Sequence, residues 1–225
     1  EKFGKKNICT VKNDFFCQKI NIPLIGDFQA YNFAVALLIG IHLGFSSKKT
    51  ANMLGKTSSI PGRWHIIETE LPIQVLIDKA NTLIALENIK KELLKLNFSE
   101  RILVFGNVGG GKKEYRAQLG VFFSKFFDKI VLTLDDPENE DPEIAFDHFL
   151  SDLTQEDKSK VVVVKNRQEA IANAIEFAKP NSVVAILGRG NQKEFIQNGN
   201  ISIFDDIEET ISIIKKKEEL CLKHQ

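Results

Sequence analysis

The sequence has few cysteines and no long apolar run. These absences argue against a disulfide-rich protein and against a membrane-spanning protein. The three cysteines, Cys9, Cys17 and Cys221, are scattered and odd in number, so they provide neither a disulfide framework nor a metal-binding spacing. The first residues, EKFGKKNICTVKNDFF, lack the pattern of a signal peptide. The longest apolar run, AVALLIGIHLGF, is too short for a membrane span and indicates a buried helix. These features predict a cytoplasmic location and no membrane partner.

The sequence also lacks an excess of charge of one sign. Its 30 basic residues balance 30 acidic ones, and no long block of like charge occurs. We therefore expect no nucleic-acid partner held by bulk charge. Hydrophobic residues are plentiful, at 43% of 225, which suffices for one large domain or for one domain with part of another. Because the sequence does not begin with methionine, we expect a piece of a longer protein or a processed chain.

The order of predicted strands and helices differs before and after a cluster of turn residues at 58–62. Two short strands are predicted within residues 7–25, and helices over 28–43 and 46–54. The cluster itself, SSIPG, is typical of a loop between domains. We therefore predict a domain boundary there.

Beyond the cluster, strand and helix patterns alternate regularly. Continuous apolar segments predict strands at 73–78, 101–106, 129–136, 160–165 and 182–188. Helices are predicted at about 82–96, 113–126, 142–153, 167–178 and 206–220. Continuous runs of Val, Ile and Leu indicate strands covered on both faces, and strand–helix repetition indicates parallel crossovers. The predicted fold class is α/β, with a Rossmann-like, doubly wound, mainly parallel sheet.

Turn and polar residues follow four of the predicted strands. These segments are Asp78–Asn81, Gly106–Gly111, Asp135–Pro137 and Gly188–Gly190. In open α/β sheets, ligands bind beyond the carboxyl ends of the strands. Each segment alone could be an ordinary turn, but four together indicate a binding crevice.

The segment FGNVGGGKKEYR, Phe105 to Arg116, allows two interpretations. From Gly106 it reads G-x-x-x-x-G-K, but Lys113 stands where a nucleotide-binding P-loop has the Ser or Thr that binds Mg²⁺. As a P-loop NTPase, the chain would hold phosphate with the loop 106–112 and Mg²⁺ with a carboxylate after the next strand. Alternatively, the glycines form a turn that lets the following helix N-terminus face an anion.

A set of short segments occurs in a defined order along the chain. They are LIGDFQAYNFAVAL (24–37), IPGR (60–63), IDKANTLIAL (77–86), VFGNVGGGKKEYRAQLG (104–120), LDDPENEDP (134–142), LGRGNQ (187–192) and FDD (204–206). Their order and spacing resemble the motifs of the Mur ligase family, most closely those of the UDP-N-acetylmuramoyl-tripeptide synthetases. In this resemblance the loop 106–112 matches a loop of the C-terminal domain, not the family's own P-loop.

The resemblance implies a domain organisation and an activity. Residues 1–59 would be the end of the central ATPase domain and residues 60–225 the C-terminal domain, while the UDP-binding domain and the phosphate-binding loop would lie upstream. The whole protein would use ATP and Mg²⁺ to add an amino acid to UDP-N-acetylmuramoyl-L-alanyl-D-glutamate, a UDP-muramoyl dipeptide, through an acyl phosphate, in peptidoglycan synthesis. The present chain alone would be inactive as a ligase.

The resemblance also assigns roles to residues. Asn32 would contact the adenine of ATP, Arg63 a phosphate and Asp78 the ribose, and Asn81, which replaces the family's His, could still form a hydrogen bond nearby. These roles suit the chemistry of amide, guanidinium and carboxylate groups. The residues that would meet the amino-acid substrate are Arg116, Asp135, Asp136, Glu138, Gly188 and Gln192.

Glu138 bears on which amino acid is added. It occupies the position of an Arg that, in the resembled family, recognises the distal carboxylate of diaminopimelate. A carboxylate there would repel that group and attract an ammonium, with Glu140 and Asp141 close by in sequence. We therefore expect L-lysine to be the substrate. Asp141-Pro142-Glu143 also has the pattern of a helix start, with Asp141 as N-cap.

Two departures from the family motifs leave a further alternative open. Gly111 replaces an Arg of the glycine-rich loop, and Gln192 replaces a Glu that would pair with the substrate ammonium. Both changes remove charges from the expected substrate site. The chain could therefore belong to a divergent ligase, or to an inactive, Mur ligase-like binding module.

Overall fold

The structure, a computed structural model, describes residues 7–12 and 16–223. Its residues form two compact units, one comprising Glu1–Ile60 with Ile84–Asn97 and the other Pro61–Leu83 with Phe98–Gln225. The assignment of 1–59 and 60–225 to two domains of a longer protein stays a prediction. Within the described residues, no helix combines the length and the hydropathy needed to cross a bilayer.

The first unit begins with an antiparallel hairpin followed by two helices. Strand β1, Asn7–Lys12, pairs with β2, Cys17–Ile22, as expected for this part of the sequence. Helices α1, Phe28–His42, and α2, Ser47–Leu54, also match their predicted ranges. The apolar core of this unit consists of Ile20, Ile22, Phe33, Leu37 and Ala51.

The second unit contains a six-stranded sheet, formed by the five predicted strands and the additional edge strand β3. Helix α3, Leu83–Leu94, belongs mostly to the first unit. The other elements that follow α2 along the chain are β3 (His65–Ile67), β4 (Gln74–Asp78), β5 (Glu100–Asn107), α4 (Lys113–Ser124), β6 (Lys129–Leu134), α5 (Pro142–Leu150), α6 (Gln155–Lys158), β7 (Val161–Val163), α7 (Arg167–Phe177), β8 (Ser182–Leu187), β9 (Glu194–Gln197), β10 (Asn200–Ile203) and α8 (Asp206–Lys223). The sheet order is β3-β4-β8-β5-β6-β7, and every pairing except β3 with β4 is parallel. The predicted α/β class with a mainly parallel sheet is confirmed.

Helices cover this sheet on both faces. On one face, Ala170 and Ile171 of α7 and Ile214 of α8 join Val104 and Ile186 in one apolar cluster. On the other face, the ring of Phe105 lies 4.8 Å from that of Phe123 in α4. Adjacent residues of one strand point to opposite faces, so Val104 and Phe105 need apolar partners on both sides. This explains why the strands are continuously apolar rather than alternating.

The strand order changes direction beside β5. The chain runs from β5 outward to β6 and β7, and then returns to place β8 on the other side of β5. Ligand crevices in doubly wound sheets lie at such a reversal, beyond the carboxyl ends of the strands. The loops that follow β5 and β8 are therefore positioned to form a site.

Four elements were not expected from the sequence. β3 is a short antiparallel edge strand, β9 and β10 form a hairpin, and α6 is a single helical turn. All four are short, with at most four residues each, and such lengths carry too little periodicity to be recognised. The predicted helix start at Asp141 is present, because the Asp141 side chain accepts a hydrogen bond from Glu143 N and Pro142 occupies the first turn.

Gly120 allows α4 and α5 to approach closely, and this contact generates a stability prediction. A Cβ at residue 120 would lie 2.1 Å from the carbonyl oxygen of Phe149. Helix propensity alone favours Ala over Gly by about 1 kcal/mol, so the clash must exceed that gain. We expect Gly120→Ala to lower the free energy of unfolding by about 1–3 kcal/mol, measured by urea denaturation. The exposed Gln118→Ala on the same helix is the control, and equal stability of both variants would contradict the prediction.

Candidate functional site

The loops after β5 and β6 touch each other through glycines. A Cβ at Gly106 would lie 2.6 Å from Cβ of Asp135, and one at Gly109 would lie 2.2 Å from the carbonyl oxygen of Pro137. The amide of Gly109 donates to Asp136 O at 2.9 Å. No side chain fits these contacts, so the glycines bring the two strand-end loops together.

A fully buried arginine joins the loop after β8 to the loop after β6. Arg189 is 0% exposed, and its Nη1 donates to Asp135 Oδ1 at 2.6 Å and to Asp136 Oδ1 at 2.8 Å. Its Nη2 donates to Glu194 O at 2.6 Å, and its guanidinium lies 5.3 Å from the ring centre of Phe195. Two carboxylates from one strand end therefore share one buried cation from another.

Asp136 accepts further hydrogen bonds from the same region. Gln192 Nε2 donates to Asp136 Oδ2, and Ile196 N donates to Asp136 Oδ1 at 3.1 Å. Asp136 and Glu138 both have positive φ, at 39° and 54°, which is rare for residues other than glycine. Such strain persists only where the surroundings fix it, and here the bonds to Asp136 do so.

A second buried ion pair lies beside the first. Arg167 at the start of α7 donates to both carboxylate oxygens of Asp206, at 2.7 and 2.8 Å. Burial raises the pKa of Asp135, although the charges of Arg167 and Arg189 oppose that rise. Desolvation therefore outweighs the nearby cations at Asp135.

A small cavity of about 210 Å³ opens at the carboxyl end of β5. Its wall includes the glycine-rich loop and the side chains of four polar residues, which are Asn81, Asn107, Arg116 and Asp135. The rim is held by Tyr115, whose hydroxyl accepts from Leu83 N at 3.1 Å and donates to Asn81 O at 3.2 Å. The cavity thus brings together three of the residues predicted from sequence, namely Asn81, Arg116 and Asp135.

Arg116 is mainly engaged within the protein. It is 2% exposed, and its two terminal nitrogens donate to Glu140 Oε1 at 2.9 Å and Oε2 at 2.5 Å. Nη2 also donates to Val108 O at 2.7 Å. Gly110 N donates to Glu140 Oε2 at 3.1 Å, and the hydrogen bond from Arg116 holds the pKa of Glu140 below its usual value. This network fixes the glycine-rich loop.

Asp78 has a structural role in the described geometry. It is buried at the end of β4, and its two oxygens accept from Trp64 N at 2.6 Å and Ala80 N at 2.7 Å. Burial raises its pKa despite these bonds. The Asp78 carboxylate orders the Arg63–Trp64 turn, in which Arg63 is exposed. The ribose and phosphate roles of these two residues stay predictions.

Asn32 lies in the first unit, in the first half of α1. Its Nδ2 donates to Gln29 Oε1 at 3.0 Å, and its side chain is exposed while that of Gln29 is buried. The adenine contact expected of Asn32 stays a prediction, because it concerns a ligand.

The acidic segment 138–141 carries one carboxylate without a protein partner. Glu140 is bound by Arg116 and Asp141 caps α5, whereas the exposed Glu138 forms no side-chain hydrogen bond or ion pair with the described residues. Its backbone joins Ile196 and Asn198, with Glu138 N donating to Ile196 O at 3.0 Å. Of the three acids expected to attract an ammonium, only Glu138 is therefore available.

The structure gathers most predicted substrate residues and adds others. Asp135, Asp136, Gly188 and Gln192 meet around Arg189, and Gly188 N donates to Asp78 O at 3.0 Å. Sequence reasoning did not single out Arg189, Asn107, or the pairs Arg116–Glu140 and Arg167–Asp206. The signal for Arg189 was an arginine between two glycines directly after a continuously apolar strand.

The described residues do not suit a Mg²⁺ site. Within the part of the chain that the structure describes, no group of three or more His, Cys, Asp or Glu could hold a metal ion. Asp135 and Asp136, the carboxylates of the P-loop interpretation, both face the Arg189 guanidinium. Oδ1 of each carboxylate therefore already has a cationic partner.

The fold and the strand-end acids define a doubly wound α/β protein with a polar site at the strand reversal. Residues 62–190, more than half of the chain, match the family model "Mur ligase, glutamate ligase domain". The chain belongs to the Mur ligase family, which confirms the resemblance seen in its motifs.

Individual relatives and structures agree with this membership. The chain is 36% identical over 169 residues to UDP-N-acetylmuramoyl-L-alanyl-D-glutamate–2,6-diaminopimelate ligase of Aquifex aeolicus, a match covering 75% of this chain and 34% of that protein. A solved structure of a ligase with the same name, at 24% identity and a TM-score of 0.68, covers 95% of this chain and 45% of its own. MurF ligase from Thermotoga maritima in complex with ADP has a TM-score of 0.58 at 18% identity, covering 90% of this chain and 42% of its own. The chain thus spans about a third of the length of the Aquifex relative.

The Arg116–Glu140 pair generates a pH-dependent prediction. The pKa of Glu140 is lower in the folded chain than its value of 4.5 in the unfolded chain. The ionised Glu140 side chain therefore stabilises the fold fully above pH 4.5, and this stabilisation is lost as pH falls through the pKa of the folded chain. We expect Glu140→Gln to lower the free energy of unfolding by about 3 kcal/mol at pH 7, because a buried guanidinium loses its counter-charge. The difference from the unmodified chain should shrink as pH falls below about 4.5.

The control is Glu143→Gln, which breaks a pair with Lys165 in which the Glu143 side chain is 56% exposed. An exposed pair contributes about 0–1 kcal/mol. Urea denaturation at pH 7 and at lower pH measures both variants. An equal loss for both, or a Glu140→Gln loss that does not change with pH, would contradict the prediction.

Proposed function

We propose that this chain is the C-terminal part of an ATP-dependent ligase that adds an amino acid to UDP-N-acetylmuramoyl-L-alanyl-D-glutamate in the cytoplasm. The observation that supports this most is the polar site at the strand reversal, where Asp135, Asp136 and Gln192 meet around Arg189 in a Mur ligase domain. Relatives that match most of the chain are named as ligases acting on this UDP-muramoyl dipeptide.

The proposed reaction joins a carboxylate to an amine at the expense of ATP. The γ-phosphate of ATP passes to the glutamate carboxylate, the amine of the amino acid attacks the acyl phosphate, and phosphate leaves as the amide forms. Mg²⁺ would neutralise the phosphates, and we propose that the nucleotide and other parts of the whole protein hold it. The role left to this chain is to hold and orient the incoming amino acid.

The residues that we propose to contact ATP are either exposed to solvent or lie at the end of a strand. Arg63 presents its guanidinium to solvent and would bind a phosphate of ATP. Asp78 orders the turn that carries Arg63, and its remaining lone pairs would accept from the ribose. Asn32 would contact the adenine edge, and Asn81 would lie near the phosphates at the cavity rim.

The amino acid we propose is L-lysine. Glu138 offers an exposed, unpaired carboxylate directly after the Asp135–Pro137 loop, where an ammonium would be attracted and a carboxylate repelled. The names of the relatives favour diaminopimelate instead, since they are called 2,6-diaminopimelate ligases. Both compounds are diamino acids, and they differ by a distal carboxylate, so Glu138 is the residue that would separate them.

The loop geometry disfavours the P-loop alternative. A P-loop directs its backbone amides at phosphate, but Gly109 N and Gly110 N donate to Asp136 O and to the Glu140 carboxylate. The carboxylate of Glu140 would repel a phosphate at that position. An inactive binding module stays the competing interpretation, and turnover by the complete protein would exclude it.

The role of Glu138 is tested in the complete protein that would carry this chain. We expect Glu138→Arg to lower kcat/KM for L-lysine and to raise it for meso-diaminopimelate, each by about tenfold, because one exposed charge contact changes sign. The assay measures ligation to the UDP-muramoyl dipeptide with ATP. Glu219→Arg, an exposed change on α8, is the control. Unchanged preference in Glu138→Arg would exclude lysine selection by this residue.

The P-loop alternative is tested with the chain itself. If the loop 106–112 does not bind a nucleotide triphosphate, the chain should bind ATP weakly and hydrolyse none in the presence of Mg²⁺. Release of phosphate is the measurement, and Lys112→Ala should make no difference to it. Robust hydrolysis that Lys112→Ala abolishes would reverse the assignment in favour of an NTPase.

A further inference from the structure

One of the acceptors that hold the buried Arg116 is the side chain of a histidine. Arg116 Nη1 lies 3.3 Å from Nδ1 of His148, in helix α5. A guanidinium has donors only, so Nδ1 must accept, and the imidazole must be neutral with its proton on Nε2. Histidine is the side chain whose charge ordinarily changes between about pH 5 and 8. The hydrogen bond therefore exists in only one of the two charge states of His148.

Each terminal N–H of Arg116 has its own acceptor. Nη1 donates to Glu140 Oε1 at 2.9 Å and to His148, and Nη2 donates to Glu140 Oε2 at 2.5 Å and to Val108 O at 2.7 Å. Nε, the fifth donor, has no partner within the described chain. Arg116 is 2% exposed, so water does not readily replace a lost acceptor. Loss of the bond to His148 would leave a second buried donor unsatisfied.

Protonation of His148 would also change the balance of charge around Glu140. Among the described residues, the charged groups that face His148 from other segments are Arg116 on α4 and Glu140 in the loop after β6. The hydrogen bond from Arg116 is the main cause that lowers the pKa of Glu140, and the charge of His148 also lowers it. Asp147 and Asp152, beside His148 along the chain, are exposed to solvent, which screens their charge. A protonated His148 would thus set two cations against one carboxylate.

The same network anchors the glycine-rich loop. Arg116 Nη2 holds the carbonyl of Val108, and Gly110 N donates to Glu140 Oε2 at 3.1 Å. A Cβ at Gly110 would have no neighbouring atom within 4 Å, so packing does not fix the loop at this residue. The position of the loop at Val108 and Gly110 therefore depends on where the side chains of Arg116 and Glu140 point.

We propose that His148 is a positioning residue, whose neutral imidazole orients the Arg116 guanidinium and whose protonation releases Arg116 and loosens the loop at 108–110. His148 is half-buried, so solvent protons reach its ring in the folded chain. Glu140 does not cause this change near neutral pH, because its pKa is held below the ordinary value of 4.5. The inference goes beyond the proposed function and does not depend on it, since it concerns the order of a loop in the chain itself.

The first measurement is the charge state of His148. The ¹⁵N-labelled 225-residue chain is titrated from about pH 8 to about pH 5, the range in which histidine changes charge. A long-range ¹H–¹⁵N spectrum of the imidazole rings reports which nitrogen carries the proton, and the His148 signals are assigned by their loss in His148→Asn. We expect the Nε2–H tautomer at the upper end of the titration and the protonated ring at the lower end.

The second measurement follows the loop in the same titration. Val108 O belongs to the same peptide group as Gly109 N, and Gly110 N donates to Glu140, so these two backbone amides report on both anchors of the loop. Both amide signals should shift with the same midpoint as the imidazole of His148. A common midpoint would connect the charge of His148 to the order of the loop.

Two variants and a control separate a titrating acceptor from a side chain that only fills space. His148→Asn places an amide oxygen near the position of Nδ1 and does not titrate, so its Gly109 and Gly110 signals should remain those of the neutral chain at every pH. His148→Lys carries a cation throughout, so its loop signals should resemble those of the protonated chain even at the upper end. His42→Asn, a change of an exposed histidine on α1, should leave the titration unaltered. The other backbone amides show whether each variant is folded.

Three results would overturn the proposal. The first is an Nδ1–H tautomer of His148 at the upper end of the titration. The second is a loop whose Gly109 and Gly110 signals do not follow His148, or a His148 that stays neutral throughout. The third is a loop titration that persists in a folded His148→Asn. The first two are read from the unmodified chain, so they decide the matter even if a variant does not fold. None involves ligation, so each would leave the proposed function untouched.

Discussion

The site depends on one buried cation. The guanidinium of Arg189 connects the loops after β8 and β6, because it binds Asp135 and Asp136 together and also the carbonyl of Glu194. Removing one partner of such a buried group is expected to cost about 3–5 kcal/mol, since the remaining charges would be left without compensation. The two loops therefore cannot move independently. The positive φ of Asp136, and its bonds to Gln192 and Ile196, follow from the same constraint.

The site also depends on glycines at positions where two backbone segments lie too close together for a side chain. At Gly106 and Gly109 a side chain would collide with the loop after β6, and at Gly62 it would lie 2.2 Å from Asn191 N. The glycine-rich loop that resembles a P-loop thus serves to pack backbone against backbone. Its amides at Gly109 and Gly110 donate to Asp136 O and to the Glu140 carboxylate.

The sequence predicts the sheet far better than it predicts the site. Continuous apolar strands such as SVVAIL are recognisable because burial on both faces leaves no polar position. The position of the site at the strand ends could also be predicted, since the carboxyl ends of parallel strands lie at one edge of the sheet. The ion pairs Arg116–Glu140 and Arg167–Asp206 could not be predicted, because their residues are 24 and 39 positions apart and no periodic pattern connects them. Gln192 looked like a lost charge, whereas the structure places its amide on the carboxylate of Asp136.

The charges of the buried network around Arg189 do not cancel. Asp135, Asp136 and Asp206 face Arg167 and Arg189, so one negative charge is in excess when all five groups are ionised. Burial raises the pKa of Asp135 more than the charges of Arg167 and Arg189 lower it.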